Sequence, residues 1–156
     1  MQKQVYFIGI GGAGMSALAR YFLSQNWVVL GSDLVESGIT TELQKEGANV
    51  KIGQKKVNIT AQIDLVVHSQ AIRSENPELE EARRIGIKTL SYPEVIGELT
   101  RQYKTIAVAG AHGKSTTTAL AALVLEKGGL DPMVIVGANL KEFSGKNFRA
   151  DRKSVV

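Results

Sequence analysis

The sequence predicts an α/β protein: a parallel sheet covered by helices and, after it, the opening of a second α/β unit. Three observations predict this. Short apolar runs alternate with stretches of helical periodicity through residues 4–99. Two glycine clusters each stand between an apolar run and a helix start. The alternation then restarts after a polar stretch at residues 100–104.

Taken in order, residues 4–10 (QVYFIGI) read as a buried strand, and the glycines that follow turn into a helix. Met15, Leu18, Ala19, Phe22 and Leu23 fall at i, i+3, i+4, i+7 and i+8, which is one apolar helical face. Asn26 ends that helix, and residues 27–32 form the next strand. Residues 40–46 make a short helix stopped by Gly47, and 49–52 a short strand. The apolar run 63–68 has the character of a parallel strand buried on both faces. Asn76 can cap a helix with Pro77 at its first position, running to Arg84 and stopping at Gly86. Residues 87–90 are a fifth strand, and Ser91 with Glu94 has the capping-box spacing of a helix to Leu99. In the second unit, 105–109 are predicted as a strand, 110–113 as a tight loop and 114–127 as a helix closed by Gly128 and Gly129. Asp131-Pro132 marks a turn, and 133–136 a strand sharing a sheet with 105–109. The polar residues beyond are predicted irregular, until Ser154-Val155-Val156 opens another strand.

The first glycine cluster, Gly9-Ile10-Gly11-Gly12-Ala13-Gly14, is a G-x-G-x-x-G between strand and helix. Glycines there allow positive φ and a close approach of backbone to a diphosphate, whose charge then sits at a helix N-terminus. Asp33 closes the second strand, where a contact to a ribose hydroxyl is expected. A dinucleotide domain needs two mononucleotide-binding halves, whereas here only about a hundred residues precede a second phosphate loop. A single nucleotide diphosphate is therefore expected instead of NAD. The second cluster is Gly110-Ala111-His112-Gly113-Lys114-Ser115, opening a helix with Thr116. It has P-loop chemistry: backbone N–H groups around phosphates, a lysine on the terminal phosphates and a hydroxyl for Mg²⁺. The usual spacing puts a glycine at 108, where this chain has Val108, so the loop is a shortened form. His112 reads as a hydrogen-bond donor or packing residue before a general base. His68 ends a strand, where a sheet-edge role and a substrate contact are equally compatible.

Composition narrows the classes further. At 44% hydrophobic and 22% charged the chain is an ordinary globular one, and its sixteen glycines cluster in loops, which excludes collagen-like repeats. With no cysteine, disulfides and thiolate metal sites are excluded. Net charge is +4, but the basic pairs Lys55-Lys56 and Arg83-Arg84 are scattered and not interleaved with aromatics, so no nucleic-acid partner is expected. The run from Val5 to Ala19 imitates a signal peptide, yet its four glycines suit a turn, and an ATP site points to the cytoplasm. No apolar run approaches the ~20 residues of a membrane span.

The two loops in this order resemble those of the bacterial Mur ligases, ATP-dependent enzymes that build the peptide stem of peptidoglycan. Five stretches carry the resemblance: 9–16 (GIGGAGMS), 31–43 (GSDLVESGITTEL), 66–72 (VVHSQAI), 76–78 (NPE) and 107–118 (AVAGAHGKSTTT). The shortened phosphate loop is itself a feature of that family. The family more often has threonine where Ala111 and Ser115 stand, and a small residue where His68 stands.

The resemblance implies a Rossmann-like parallel-sheet domain for a UDP substrate over 1–102, followed by the start of a P-loop ATP-binding α/β domain over 103–156. A third domain, for the amino acid, is expected beyond, making this chain a fragment without ligase activity of its own. The likeness is nearest to the member that joins L-alanine to UDP-N-acetylmuramate. A peptidoglycan-recycling ligase, a nucleotide-sugar module without activity and an NAD dehydrogenase are the rival readings, in that order. It implies that Gly9, Gly11, Gly12, Ala13, Gly14 and Met15 hold the diphosphate, with Asp33, Ser37, Thr40, Ser69 and Ala71 lining the nucleotide pocket. ATP would lie on Gly110, Ala111, His112, Gly113, Lys114, Ser115 and Thr116. Lys114 and Ser115 would carry the catalysis, with Mg²⁺ on Ser115 and acidic ligands outside this chain.

Overall fold

The computed structural model describes residues 2–151. Five strands, β1 (Gln4–Ile8), β2 (Val28–Asp33), β3 (Asn49–Ile52), β4 (Leu65–His68) and β5 (Lys88–Ser91), form one parallel sheet in the order β3-β2-β1-β4-β5. Helices α1 (Ala13–Ser24), α2 (Gly38–Lys45), α3 (Pro77–Arg84) and α4 (Tyr92–Thr100) follow the strands. Side chains alternate across β1, and both of its faces are buried. Val5 and Phe7 pack with Leu18, Phe22 and Val29 on one side, and Tyr6 and Ile8 with Val66, Leu79 and Ala82 on the other. That two-sided burial is why β1 reads as a continuous apolar run.

Local chemistry explains the helix ends. Asn76 accepts the N–H groups of Glu78 and Leu79 through Oδ1 at 3.0 and 3.2 Å, with Pro77 at the first helical position. At α4, Glu94 accepts from the Ser91 N–H at 2.7 Å, the return half of a capping box. Asn26, with φ 58°, turns the chain out of α1.

The second unit departs from expectation. Helix α5 (Lys114–Lys127) forms as predicted, but residues 105–109 are not a strand. A strand exists only through its ladder, and among the described residues nothing pairs with this segment; Ile106 is 71% exposed. Of residues 133–136, Val134 to Val136 belong to a longer strand, β6 (Val134–Leu140), whose partner is β7 (Lys146–Arg149), antiparallel to it. The stretch predicted irregular is therefore a hairpin. Its turn uses Ser144 (φ 57°) and Gly145 (φ 77°), a Ser-Gly pair that is itself a turn signal. The strand expected at 154–156 lies outside the described residues.

The hairpin docks on α1. Phe148 meets Tyr21 edge-on, with ring centroids 6.4 Å apart, and joins the main core. A cavity of about 460 Å³ lies between α4, residues 103–108, α5 and β6, lined by groups such as Ile96, Leu99, Ile106, Ala122 and Met133. Helix α5 covers it with Ala122 and turns Leu120 and Val124 outward, 59% and 70% exposed.

Candidate functional site

The first glycine loop sits where the strand order reverses, between β1 and β4, at the carboxyl ends of the strands. In open α/β sheets that crevice is where ligands bind. Gly9 turns the chain there with φ 81°, a conformation that side chains resist. The N–H groups of Gly9 and Ile10 both donate to the Ser32 carbonyl, at 2.9 and 3.0 Å, which pins the loop to the end of β2. Asp33 accepts from Gly11 N through Oδ2 and from Leu34 N through Oδ1, each at 2.8 Å. The acid predicted to read a ribose thus also fastens the loop.

The glycines have different reasons. A Cβ on Gly11 would lie 2.9 Å from Asp33 Oδ2 and 3.1 Å from Thr40 Cγ2. One on Gly14 would lie 2.8 Å from the Tyr92 ring, so this glycine lets α1 pack against the start of α4. Gly12 is unlike both. Its φ is −64°, a Cβ there would meet only ordinary contacts at 3.5 and 3.6 Å, and it is exposed. Nothing in the folded chain requires a glycine at 12, whereas a group lying against the loop from outside would. Gly12 caps α1, so the N–H groups of Ala13, Gly14 and Met15 have no intrahelical acceptor.

Other predicted residues gather around this loop. Ser69 closes β4 beside Gly9, donating its N–H to Ile8 O at 3.2 Å and accepting the Ala71 N–H on its hydroxyl at 3.2 Å. Ala71 is exposed at the rim. Ser37 and Thr40 cap α2 reciprocally: Thr40 N donates to Ser37 Oγ at 3.2 Å and Ser37 N to Thr40 Oγ1 at 2.8 Å. Thr40 is only 1% exposed: its methyl packs beside Gly11 and its hydroxyl serves the cap, so it supports the loop from beneath and presents no surface of its own. His68 is half-buried, with Nδ1 3.3 Å from the Ser69 carbonyl.

Behind the crevice lies a buried carboxylate that reading for motifs did not give a role. Glu78 is fully buried, and its Oε1 accepts from Tyr6 Oη (2.8 Å), Asn58 Nδ2 (2.6 Å) and Lys55 N (3.2 Å). Its Oε2 accepts from Ser32 Oγ. Burial pushes the Tyr6 phenol far above its ordinary range, which keeps it a donor. Glu78 thus fixes Ser32, whose carbonyl holds the glycine loop. The missed signal was an acid in the first turn of a helix whose facing strand carries Tyr6 in an otherwise apolar run.

The second loop is open to solvent. Gly110 and Gly113 have φ of 153° and 75°, so the turn into α5 is one that favours glycine. Lys114 folds back across the loop, its Nζ donating to Gly110 O at 2.7 Å and Ala111 O at 3.1 Å. The N–H groups of Lys114, Ser115 and Thr116 open the helix without intrahelical acceptors. Ala111 and His112 are exposed along the turn. This donor set fits a phosphate chain. Among the described residues no three acidic or imidazole groups converge on a metal. No helix among the described residues is long and apolar enough to cross a membrane.

A parallel sheet with a glycine turn at its switch point, continued by a phosphate-type loop, defines a Rossmann-like α/β protein of the kind that takes nucleotides at strand–helix turns. Residues 4–104 match the model of the Mur ligase family, catalytic domain, and the chain belongs to the Mur ligase family. It is 46% identical over 144 residues to the UDP-N-acetylmuramate–L-alanine ligase of Desulforamulus reducens, covering 92% of this chain and 31% of that protein. It is also 46% identical over 156 residues to the ligase of the same name from Campylobacter jejuni, covering 100% of this chain and 35% of that one. The chain therefore spans about a third of the length of the curated relatives it matches. Among solved structures it is similar to the UDP-N-acetylmuramate-alanine ligase of Thermotoga maritima. The TM-score is 0.88 at 31% identity, over 95% of this chain and 35% of that one. It is similar also to the UDP-N-acetylmuramate:L-alanyl-gamma-D-glutamyl-meso-diaminopimelate ligase of Neisseria meningitides. There the TM-score is 0.87 at 27% identity, over 99% of this chain and 49% of that one.

Proposed function

We propose that this chain carries the UDP-substrate loop and the ATP-phosphate loop of a cytoplasmic ligase that joins L-alanine to UDP-N-acetylmuramate in peptidoglycan synthesis. The observation that carries this reading is the presence of both loops, in family order, in a chain 46% identical across its length to ligases of that name. Backbone similarity does not separate the alanine ligase from the peptide ligase, since the two TM-scores are nearly equal. The higher identity of the sequence relatives favours alanine. Residues 1–102 form the UDP-substrate domain in this reading, and 103–156 open the ATP domain.

The first loop would seat the diphosphate on the N–H groups from Gly11 to Met15, with Asp33 toward the ribose and Ser37, Thr40, Ser69 and Ala71 around the nucleotide. At the second loop, Gly110 to Thr116 would wrap the ATP phosphates. Lys114 would leave its two carbonyl partners and bind the transferring phosphoryl oxygens, placing its charge where charge develops. Mg²⁺, held by Ser115 and phosphate oxygens, would neutralise the phosphates when bound. The γ-phosphoryl group passes to the muramate carboxylate, leaving ADP. The alanine amine then displaces phosphate from the acyl phosphate to form the amide. Calorimetry tests the first half: the 156-residue chain is expected to bind UDP-N-acetylmuramate and not NAD. Tight NAD binding with no UDP-sugar binding would sink the proposal.

A further inference from the structure

Asn147 lies on β7 and is 1% exposed, yet it is the polar centre of the contact between the hairpin and α1. Its Oδ1 accepts from Arg20 Nη1 at 2.6 Å. Arg20, itself 4% exposed, is held by Glu46 at 2.8 Å and Glu42 at 3.3 Å. With the amide oxygen committed to a guanidinium, the nitrogen must face the other way. Nδ2 donates there to Ala13 O at 2.6 Å and to Ser16 Oγ at 2.9 Å. Ser16 Oγ in turn donates to the same Ala13 carbonyl at 3.0 Å.

The Ala13 carbonyl therefore receives two side-chain donors in the first turn of α1, where a helix needs none. That carbonyl and the Gly14 N–H belong to one peptide group. Donation into the oxygen draws electron density from the peptide nitrogen and makes its hydrogen a stronger donor. Gly14 N–H is one of the first-turn groups without an intrahelical acceptor, at the end of α1 that continues the glycine loop.

We propose that Asn147, oriented by Arg20 and relayed by Ser16, is a positioning residue that fixes the first turn of α1 and strengthens the Gly14 N–H toward a bound diphosphate. This rests on the reading of the first loop as a diphosphate cradle. It gives the hairpin that follows the second glycine loop a direct hold on the first.

The test uses the 156-residue chain with Asn147→Asp and Ser16→Ala. The aspartate keeps an acceptor for Arg20 but turns a carboxylate oxygen toward the Ala13 carbonyl in place of the donor, so it changes charge as well as donation. The alanine adds no charge. UDP is the calorimetric probe, and the Gly14 amide is followed by NMR in the unliganded chain. Asn147→Asp is expected to lower UDP affinity about tenfold and Ser16→Ala by less. The Gly14 amide proton is expected to move upfield in both. An unmoved Gly14 signal, or unaltered UDP affinity in both variants, overturns the proposal. If the unsubstituted chain takes no UDP, the diphosphate reading fails, and the Gly14 shift alone then decides whether Asn147 sets that N–H.

Discussion

Two neighbouring glycines separate the internal from the external demands on the first loop. At Gly12 an alanine meets no clash and no backbone strain, because φ is −64° and the nearest groups to a Cβ are 3.5 and 3.6 Å away. Losing a glycine from the unfolded chain stabilises by about 0.4–1 kcal/mol. Alanine is a poorer N-cap by roughly the same amount. Gly12→Ala should therefore leave stability within about 0.5 kcal/mol of the original. A methyl pushed into an occupied cradle costs about 1–3 kcal/mol, so UDP-N-acetylmuramate affinity should fall roughly 5- to 150-fold. Gly11→Ala should behave differently. Its Cβ would sit 2.9 Å from Asp33 Oδ2 and displace a carboxylate that accepts two backbone N–H groups. With partial recovery from water, the loss is about 2 kcal/mol of stability before any ligand is added. Urea melts of both variants, followed by calorimetry on the folded ones, give the four numbers needed. A Gly12→Ala chain that is as stable as the original and binds UDP-N-acetylmuramate equally well would refute the placement of the diphosphate.

Glu78→Ala strands three buried donors, on Tyr6, Ser32 and Asn58, and frees the part-buried Lys55 N–H; at ~1 kcal/mol or more for each buried donor it should cost at least about 3 kcal/mol in a urea melt. A loss below about 1 kcal/mol would remove Glu78 as the anchor of the loop. In a ligase of the relatives' full length, Lys114→Ala should reduce turnover about a thousandfold and leave UDP-substrate affinity intact; equal losses in both would show the two loops' roles to be misassigned. Burial raises the Glu46 carboxyl, but hydrogen bonds from Arg20 and Lys146 outweigh this and hold it below its usual 4.5. Its contribution is thus present above that pH and disappears as pH falls through the lowered value, so Glu46→Gln should flatten the acid limb of the stability profile.

Sequence signals that act over three or four residues were legible. Asn76-Pro77 and Gly86 bounded α3, and Gly113 to Gly128 bounded α5, because caps and glycine turns are local chemistry. That Asp33 lies beside the glycine loop was legible as well, since a parallel sheet brings strand ends together, whereas Ser69 came only from the family resemblance. Residues 105–109 were misread because an apolar run becomes a strand only through a neighbour. The β6–β7 hairpin was misread for the converse reason: one buried phenylalanine on each side of its turn looks polar when counted along the chain. Arg20 and Asn147 were invisible for a related reason, since a buried arginine is recognised only by the acceptors that distant segments bring to it.

The bond from Asn147 to Ala13 joins residues 134 positions apart. Contacts of such separation are late in folding, because a long loop must close before they are rewarded. At about 5–20 residues per second of synthesis, the start of α1 waits roughly 7–27 seconds for its last partner to be made. The five-stranded sheet needs nothing beyond Ser91 and can pair first. The glycine turn is thus among the earliest parts of the chain to be synthesised and among the last to be completed. During that interval Ser16 and Arg20 face water, which keeps a face of α1 polar until the hairpin arrives to cover it.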